Sequence, residues 1–243
     1  MSDPTKQFCI LEMLKGYGKT VTRLDTRLPI TLPILRQFLQ VSPSICSSRY
    51  VCCLFKPMCT VAFFAFLRIG EMTSSGSSEV LQLHHLERLI NSSGDVVSIK
   101  IKFGHFKHSY NQYPVAIVLT RRPEVCPVHS LLGYLALRGP VDGALFQSLE
   151  GRLISRSFFT ELLSLAVRSC GLDPTRYKGH SFRIGGLLSL LKAGCLRPKF
   201  ASWAGGSLIL SVDIFASQLS SPNVRVWNLV IFSVTFDKAG VLS

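Results

Sequence analysis

Acidic residues are scarce in this chain of 243 residues. It has 14 Asp and Glu against 27 Lys and Arg, which gives a formal net charge of +13 at pH 7. A hydrophobic content of 47% excludes a disordered basic tail and predicts a folded core beneath a basic surface. Such a surface favours a polyanionic partner, because Lys and Arg that neutralise phosphates release condensed counterions. Composition alone leaves DNA, RNA and an acidic membrane surface open.

The cysteine spacings of zinc sites and redox motifs are also missing. The eight cysteines include no C-x-x-C pair, and Cys52 and Cys53 are adjacent. We expect no secretory leader, so this pattern predicts reduced and mostly buried thiols in an intracellular protein. The six histidines do not complete a finger-like ligand set with these cysteines. We therefore expect no metal site.

No apolar run reaches the roughly 20 residues that a membrane span needs. The most apolar stretch, residues 58–67, is followed at once by Arg68. The apolar tail after Phe200 is interrupted by Asp213, Arg225 and Asp237. We expect no transmembrane segment and no membrane partner.

Capping signals predict several helices. Thr31 and Pro33 mark the start of a short helix. Residues 49–67 have the apolar density of a core helix, which Pro57 should kink or divide in two. Further helices, each ending close to a glycine, are predicted over residues 127–137, 157–170 and 180–193.

A period-two pattern predicts a β-hairpin in the middle of the chain. Residues 97–103 place Val97, Ile99, Ile101 and Phe103 on one face and polar residues on the other. Residues 108–111 favour a turn, and residues 114–119 favour the returning strand. The fold class expected from these patterns is α+β, mainly α, with a small antiparallel sheet or hairpin.

Two arginine-containing motifs flank this hairpin. Residues 64–71 read Phe-Ala-Phe-Leu-Arg-Ile-Gly-Glu around Arg68. Residues 179–185 read Gly-His-Ser-Phe-Arg-Ile-Gly around Arg183, and His180 precedes that arginine by three positions.

Two further motifs complete an ordered set of four. Lys107 lies in Phe-Lys-His-Ser near the tip of the predicted hairpin, and Trp203 follows Ser202 downstream of the second arginine. In this order the motifs resemble those of the tyrosine-recombinase (phage-integrase) catalytic domain. They look most similar to the recombinases of DIRS and Crypton mobile elements. Such ordered motifs in the expected strand and helix context favour recombinase ancestry.

The resemblance implies a role for each matched residue. Arg68 and Arg183 would hold the two non-bridging oxygens of a DNA phosphodiester bidentately, with no metal or other cofactor. His180 would accept the nucleophile's proton or orient the phosphate. Lys107 would protonate the departing 5′ oxygen, and Trp203 would donate its indole N–H. The implied partner is double-stranded DNA, and no small-molecule substrate is expected.

Four other charged residues complete the candidate site. Glu71 would orient the guanidinium of Arg68 by an ion pair, or it is simply a solvated charge. Lys100, Lys102 and Lys178 are candidate contacts to the DNA backbone. Lys100 and Lys102 are also alternatives to Lys107 as the general acid that protonates the departing 5′ oxygen. Lysines on a sheet edge can, however, have the sole role of discouraging pairing with other sheets.

Each matched residue also has a plain structural interpretation. Arg68 at a helix end could interact favourably with the helix dipole, or its side chain could extend to water. His180 taken alone could be a capping or core histidine, and Trp203 could be a core residue.

The chain departs from the family pattern at the nucleophile. In the family, a tyrosine follows the His/Trp motif by about two helical turns, or about 11 Å along the axis. No tyrosine follows Tyr177 here. The resemblance therefore predicts a DNA-binding protein that cannot cleave DNA alone. A homo-oligomer would lack that tyrosine in every copy, so cleavage would need a tyrosine-bearing paralogue or one of Tyr110, Tyr113 and Tyr177.

The resemblance also sets the expected domain limits. Residues 1–35 would be a remnant linker from a missing core-binding domain, and residues 36–203 would be the recombinase-like domain. Residues 204–243 would be a tail foreign to the family, poorly ordered, and either an interaction segment or the product of an altered reading frame, a retained intron or decay. The alternative function is a non-enzymatic nuclear DNA-binding or interaction protein derived from a mobile element, and we expect nuclear localisation.

Overall fold

The structure is a computed structural model that describes residues 26–74, 80–103 and 115–192. It also describes the backbone of three strands further along the chain. The chain divides into two compact units. The larger contains Arg27–Leu196, and the smaller contains Arg197–Ile214 and the strand Leu229–Ser233.

Six α-helices and one short 3-10 helix, Leu83–His85, lie in the described part of the larger unit. The α-helices are α1 (Leu32–Ile45), α2 (Arg49–Phe64), α3 (Ile69–Met72), α4 (Pro127–Arg138), α5 (Arg156–Ser169) and α6 (Gly179–Lys192). No helix in the described part of the chain is both long enough and apolar enough to cross a bilayer.

The predicted ends of these helices are confirmed to within a few residues. Thr31 is the N-cap of α1, although its hydroxyl makes no capping hydrogen bond. Gly171 follows the end of α5 with a φ of 71°. Its N–H donates to the Arg168 carbonyl, and the Leu172 N–H donates to the Val167 carbonyl, which together form a Schellman motif. Glycine is favoured there because a β-carbon would strain the left-handed conformation.

Pro57 was expected to kink helix α2 or divide it in two, and the division does not occur. The helix runs as one element through Pro57, which is buried together with most of its C-terminal half. Proline removes one backbone hydrogen bond, but burial of the apolar face stabilises the helix more than local propensity opposes it. Phe64, the first residue of the first arginine motif, is therefore the last residue of a continuous core helix.

The central sheet has three strands instead of the two in the predicted hairpin. It contains β1 (Leu86–Ile90), β2 (Val96–Phe103) and β3 (Val115–Thr120), in the order β1-β2-β3 with both pairs antiparallel. Strand β1 escapes prediction because its mixed sequence, Leu-Glu-Arg-Leu-Ile, has no period-two alternation of polar and apolar residues.

The period-two pattern puts Val97 on the core face, and this prediction is wrong. Ile99 and Ile101 are fully buried as expected, but Val97 is 38% exposed. The register between β1 and β2 pairs Leu89 with Ser98 and Ile90 with Val96, so Val97 is an extra residue in a β-bulge. A bulge redirects the side chain of the inserted residue, which explains the exposure.

The core of the larger unit forms where α2 packs between α1, α4 and α6. Its largest fully buried side chains include Phe38, Phe55, Phe63, Phe159 and Phe182. The thiols in the described part of the chain are free, as expected. Cys59 is buried, and the other five described cysteines are partly buried, three of them packed against the core.

The second sheet belongs to the smaller unit. It contains β4 (Leu196–Ala204), β5 (Ser207–Ile214) and β6 (Leu229–Ser233) in that order, and β5 and β6 pair antiparallel. The expectation of a poorly ordered tail over residues 204–243 falls largely outside the described residues and stays a prediction.

Candidate functional site

The first arginine motif follows the end of helix α2 through an unusual backbone conformation. Ala65 caps the helix and donates its N–H to the Val61 carbonyl. Phe66 then adopts a φ of 55°, the left-handed region that a helix usually ends on with glycine. Leu67 is fully buried, and Arg68 becomes the N-cap of α3 with its side chain 42% exposed.

Glu71 contacts both the backbone and the side chain of Arg68. Its Oε2 accepts a hydrogen bond from the Arg68 N–H at 2.8 Å, and its Oε1 lies 3.6 Å from Arg68 Nη1. A carboxylate held at both points restricts where the guanidinium can go. The structure thus places Glu71 where an orienting ion pair would be, instead of out in solvent.

Glycines allow the second arginine motif to lie directly against the first. A β-carbon on Gly179, at the start of α6, would lie 2.4 Å from Ile69 Cγ1, next to Arg68. A β-carbon on Gly186 would lie 2.2 Å from the Phe63 carbonyl at the end of α2. Both distances are too short for a β-carbon, so the backbone of α6 packs directly on the Ile69 side chain of the first motif and on the Phe63 backbone that precedes the motif.

The segment before α1 contacts another side of helix α6 and the residues just before it. The Ile30 N–H donates to the Ser181 carbonyl at 3.0 Å, and the Leu28 N–H donates to the Arg176 carbonyl at 2.8 Å. A β-carbon on Gly185 would lie 1.7 Å from the Ile30 carbonyl oxygen. The start of α6 is therefore fixed between this segment and the first arginine motif.

Arg183 is a buried guanidinium close to a second positive charge. Its residue is only 6% exposed. Burial, together with the charge of Arg68, lowers the pKa of Arg183 from its ordinary value to about 10, and the charge of Glu71 opposes this change. The side chain remains charged at neutral pH, and the two arginines concentrate positive charge at one place.

The structure brings together Arg68, Glu71 and Arg183, and it places His180 beside them on α6. His180 is partly buried, and residues three apart share a helical face. Lys178 precedes α6 and is exposed, and its backbone N–H donates to the Ser181 hydroxyl. The individual roles of these residues stay predictions.

The two hairpin lysines lie on the central sheet and share one acidic partner. Glu87 Oε2 on β1 lies 2.9 Å from Lys102 Nζ and 3.6 Å from Lys100 Nζ. The hydrogen bond from Lys102 and the charges of both lysines lower the pKa of Glu87. Lys102 remains 55% exposed, so it can still meet a second anion.

Two predicted residues cannot be located with the others. Lys107 lies outside the described residues. The backbone of Trp203 lies in β4 of the smaller unit, and its side chain is outside the described part. Within the described ranges, no group of three or more His, Cys, Asp or Glu could hold a metal ion.

Sequence reasoning missed two other arginines, and they differ in kind. Arg138 is buried, and its guanidinium donates to backbone carbonyls that include Val141 at 2.6 Å and Ala144 at 2.7 Å, so it holds a loop. Arg122 is exposed and lies 4.8 Å from the ring centroid of Phe64, which begins the first motif. No spacing in the sequence indicated either contact.

The fold is α+β, mainly helical, with the small antiparallel sheet of a tyrosine-recombinase catalytic domain, as predicted. One similar solved structure is the XerH site-specific recombinase bound to difH substrate, a pre-cleavage complex, with a TM-score of 0.50 and 17% identity over 69% of this chain. Another is XerH bound to palindromic difH substrate, a post-cleavage complex, with a TM-score of 0.50 and 16% identity over 71% of this chain. The match spans 44% of either XerH chain. No family model and no curated protein sequence matches this chain.

Proposed function

We propose that this chain is a recombinase-like domain that binds double-stranded DNA by gripping a backbone phosphate between Arg68 and Arg183. The observation that carries the proposal is the buried guanidinium of Arg183 held close to a second arginine. The buried charge of Arg183 repels the partly exposed charge of Arg68, and the attraction of both guanidinium groups to one phosphate would more than offset that repulsion. Such an arrangement is typical of sites that bind anions.

The geometry suits a phosphodiester in particular. Each of the two guanidinium groups can donate a pair of parallel N–H···O hydrogen bonds, one to each non-bridging oxygen. Glu71 keeps Arg68 in place, and the amide groups at the start of α6 add a dipole that favours an anion near His180. The net charge of +13 supplies attraction at longer range. XerH is bound to a difH substrate in both solved complexes of similar fold, and this supports DNA as the partner.

Strand cleavage is not part of the proposed activity of this chain alone. Residues 178–243 contain no tyrosine. Tyr177 packs against the hydrophobic core, so it is poorly placed to swing toward a phosphate. Tyr110 and Tyr113 lie outside the described residues. A tyrosine-bearing paralogue in a mixed oligomer would restore the missing nucleophile.

The proposal includes descent from a mobile-element recombinase of the DIRS or Crypton kind and a nuclear location. The residues of the two arginine motifs support the descent, and the location follows from DNA as the partner.

The experiment is a salt titration of DNA binding for the wild type and for Arg68→Ala, Arg183→Ala and the double variant. Each phosphate contact that is lost should reduce the slope of log affinity against log salt by about 1. Each single variant should bind about tenfold more weakly or worse, as expected for charge-assisted hydrogen bonds. Arg152→Ala is the matched control, because Arg152 is an exposed arginine in a turn of the same unit.

A suicide DNA substrate tests the absence of cleavage in parallel. We expect no covalent adduct with this chain alone. Wild-type affinity in the double arginine variant would contradict the proposed phosphate site, and a covalent adduct in the wild type would contradict the absence of a nucleophile.

A further inference from the structure

Phe66 is a bulky residue in a backbone conformation that suits glycine. Its φ of 55° is the only positive value at a non-glycine position in the described part of the chain. A side chain that is large and aromatic adopts this region rarely, and the surrounding structure must hold it there. Phe66 stands two residues before Arg68, so the strain lies in the backbone that delivers this arginine.

The ring of Phe66 lies against the helix that carries Arg183. The Cε1 and Cδ1 atoms of Phe66 are 2.9 Å and 3.0 Å from the position where a β-carbon of Gly186 would be. Gly186 follows Arg183 by three residues, so it lies close to the same face of α6. The ring thus fills the space between the backbone of the first arginine motif and the helix of the second.

We propose that Phe66 is a positioning residue that fixes Arg68 relative to Arg183. This inference rests on the proposed phosphate site. The ring packs on Gly186, the packing holds the left-handed backbone, and that backbone sets the direction in which Arg68 leaves the chain. The neighbours on either side, Ala65 and Leu67, are fully buried, so the segment has little freedom to compensate.

The alternative is that Phe66 only ends helix α2. Glycine would then be at least as good at position 66, because it adopts positive φ without strain and is the usual residue at that point. The two explanations therefore make opposite predictions for Phe66→Gly. A positioning role for Phe66 requires its aromatic ring, whereas a role limited to ending helix α2 does not.

The test measures DNA affinity and its salt slope for Phe66→Gly, Phe66→Leu and Phe66→Tyr, with circular dichroism and melting curves to follow folding. Phe66→Gly should bind about tenfold more weakly, a coupling of the size common between residues in contact. Phe66→Tyr keeps the ring and, because Phe66 is only partly buried, should bind like the wild type. Phe66→Leu keeps bulk without the flat ring and should fall between them, and it serves as the test if the glycine variant does not fold.

The same substitutions in an Arg68→Ala background separate positioning from general structure. If Phe66 acts through Arg68, Phe66→Gly should have no further effect on affinity or slope once that arginine is gone. An equal loss in both backgrounds, or wild-type affinity for Phe66→Gly, would overturn the inference. If the double variant Arg68→Ala with Arg183→Ala binds like the wild type, the proposed function itself fails, and this result is distinct from a failure at Phe66 alone.

Discussion

At the scale of single residues, the two arginines that are buried in the described part of the chain illustrate opposite uses of the same side chain. Arg138 and Arg183 are 7% and 6% exposed. Arg138 donates at 3.0 Å or less to the carbonyls of Gly139, Val141, Ala144 and Leu145. Arg183 instead lies close to the positive charge of Arg68. Arg138 is therefore a structural residue, and Arg183, whose pKa is lowered by burial and by the charge of Arg68, is a candidate for anion binding.

We expect Arg183→Met to stabilise the fold and Arg138→Met to destabilise it. The pKa of Arg183 is lowered, so the unfolded chain binds this proton more tightly, and the charged form opposes folding at neutral pH. A lowering of this size corresponds to a cost of about 1–3 kcal/mol for keeping the guanidinium charged in the folded state, and methionine removes that cost. Removing Arg138 leaves buried carbonyls without donors and should subtract about 2–4 kcal/mol.

Urea unfolding of the two variants at pH 7 measures both values. Arg183→Met should also lose DNA binding, so stability and binding change in opposite directions, as expected for a functional residue. A loss of stability in Arg183→Met as large as that in Arg138→Met would mean that Arg183 is a structural residue as well.

At the scale of elements, glycines decide how closely helix α6 approaches its neighbours. A β-carbon on Gly185 would lie 1.7 Å from the Ile30 carbonyl oxygen, whereas a β-carbon on Gly133 in α4 would meet nothing within 4 Å. Gly185→Ala must displace backbone and should lower the free energy of unfolding by about 2–4 kcal/mol. Gly133→Ala should raise it by about 0.5–1 kcal/mol, because alanine has the better helix propensity.

Thermal melting of the Gly185→Ala and Gly133→Ala variants separates the effect of the close contact with Ile30 from the effect of helix propensity. Both substitutions are the same change inside a helix, so helix propensity alone predicts stabilisation in both. A stabilised Gly185→Ala would mean that the approach of Ile30 to α6 is looser than the structure shows.

The same elements show how far the sequence could be interpreted. Helices α1, α4, α5 and α6 were predictable because caps, proline and glycine act locally. Strand β1 and the bulge at Val97 were not, because strand pairing depends on residues distant in sequence. Arg68 and Arg183 were predicted from their motifs, but the glycine contacts and the conformation of Phe66 that join them exist only in three dimensions.

At the scale of the whole molecule, the few acidic side chains matter for stability because they offset the repulsion within a basic surface. Several carboxyl groups in the described part have a pKa below its ordinary value, each because a nearby group stabilises the charged form. A lysine does this for Glu87, a backbone N–H for Asp142 and Asp173, and a hydroxyl for Glu150. Each therefore adds stability above the ordinary carboxyl pKa values, 4.5 for glutamate and 3.8 for aspartate, and this stability is lost as the pH falls through the lowered values.

We expect the folded chain to be sensitive to acid and to be rescued in part by salt. Protonation of the 14 carboxyl side chains would leave 27 Lys and Arg without acidic partners, and their repulsion opposes the compact state. Glu87→Gln should show a smaller loss of stability between pH 5 and pH 3 than the wild type, because its pairing with Lys102 is already absent. Glu161→Gln, an exposed change of the same charge on α5, is the control and should follow the wild type. Urea unfolding at several pH values, at low and high salt, measures these differences. An identical pH profile for wild type and Glu87→Gln would show that the ion pairs between β1 and β2 add nothing to the stability of the sheet.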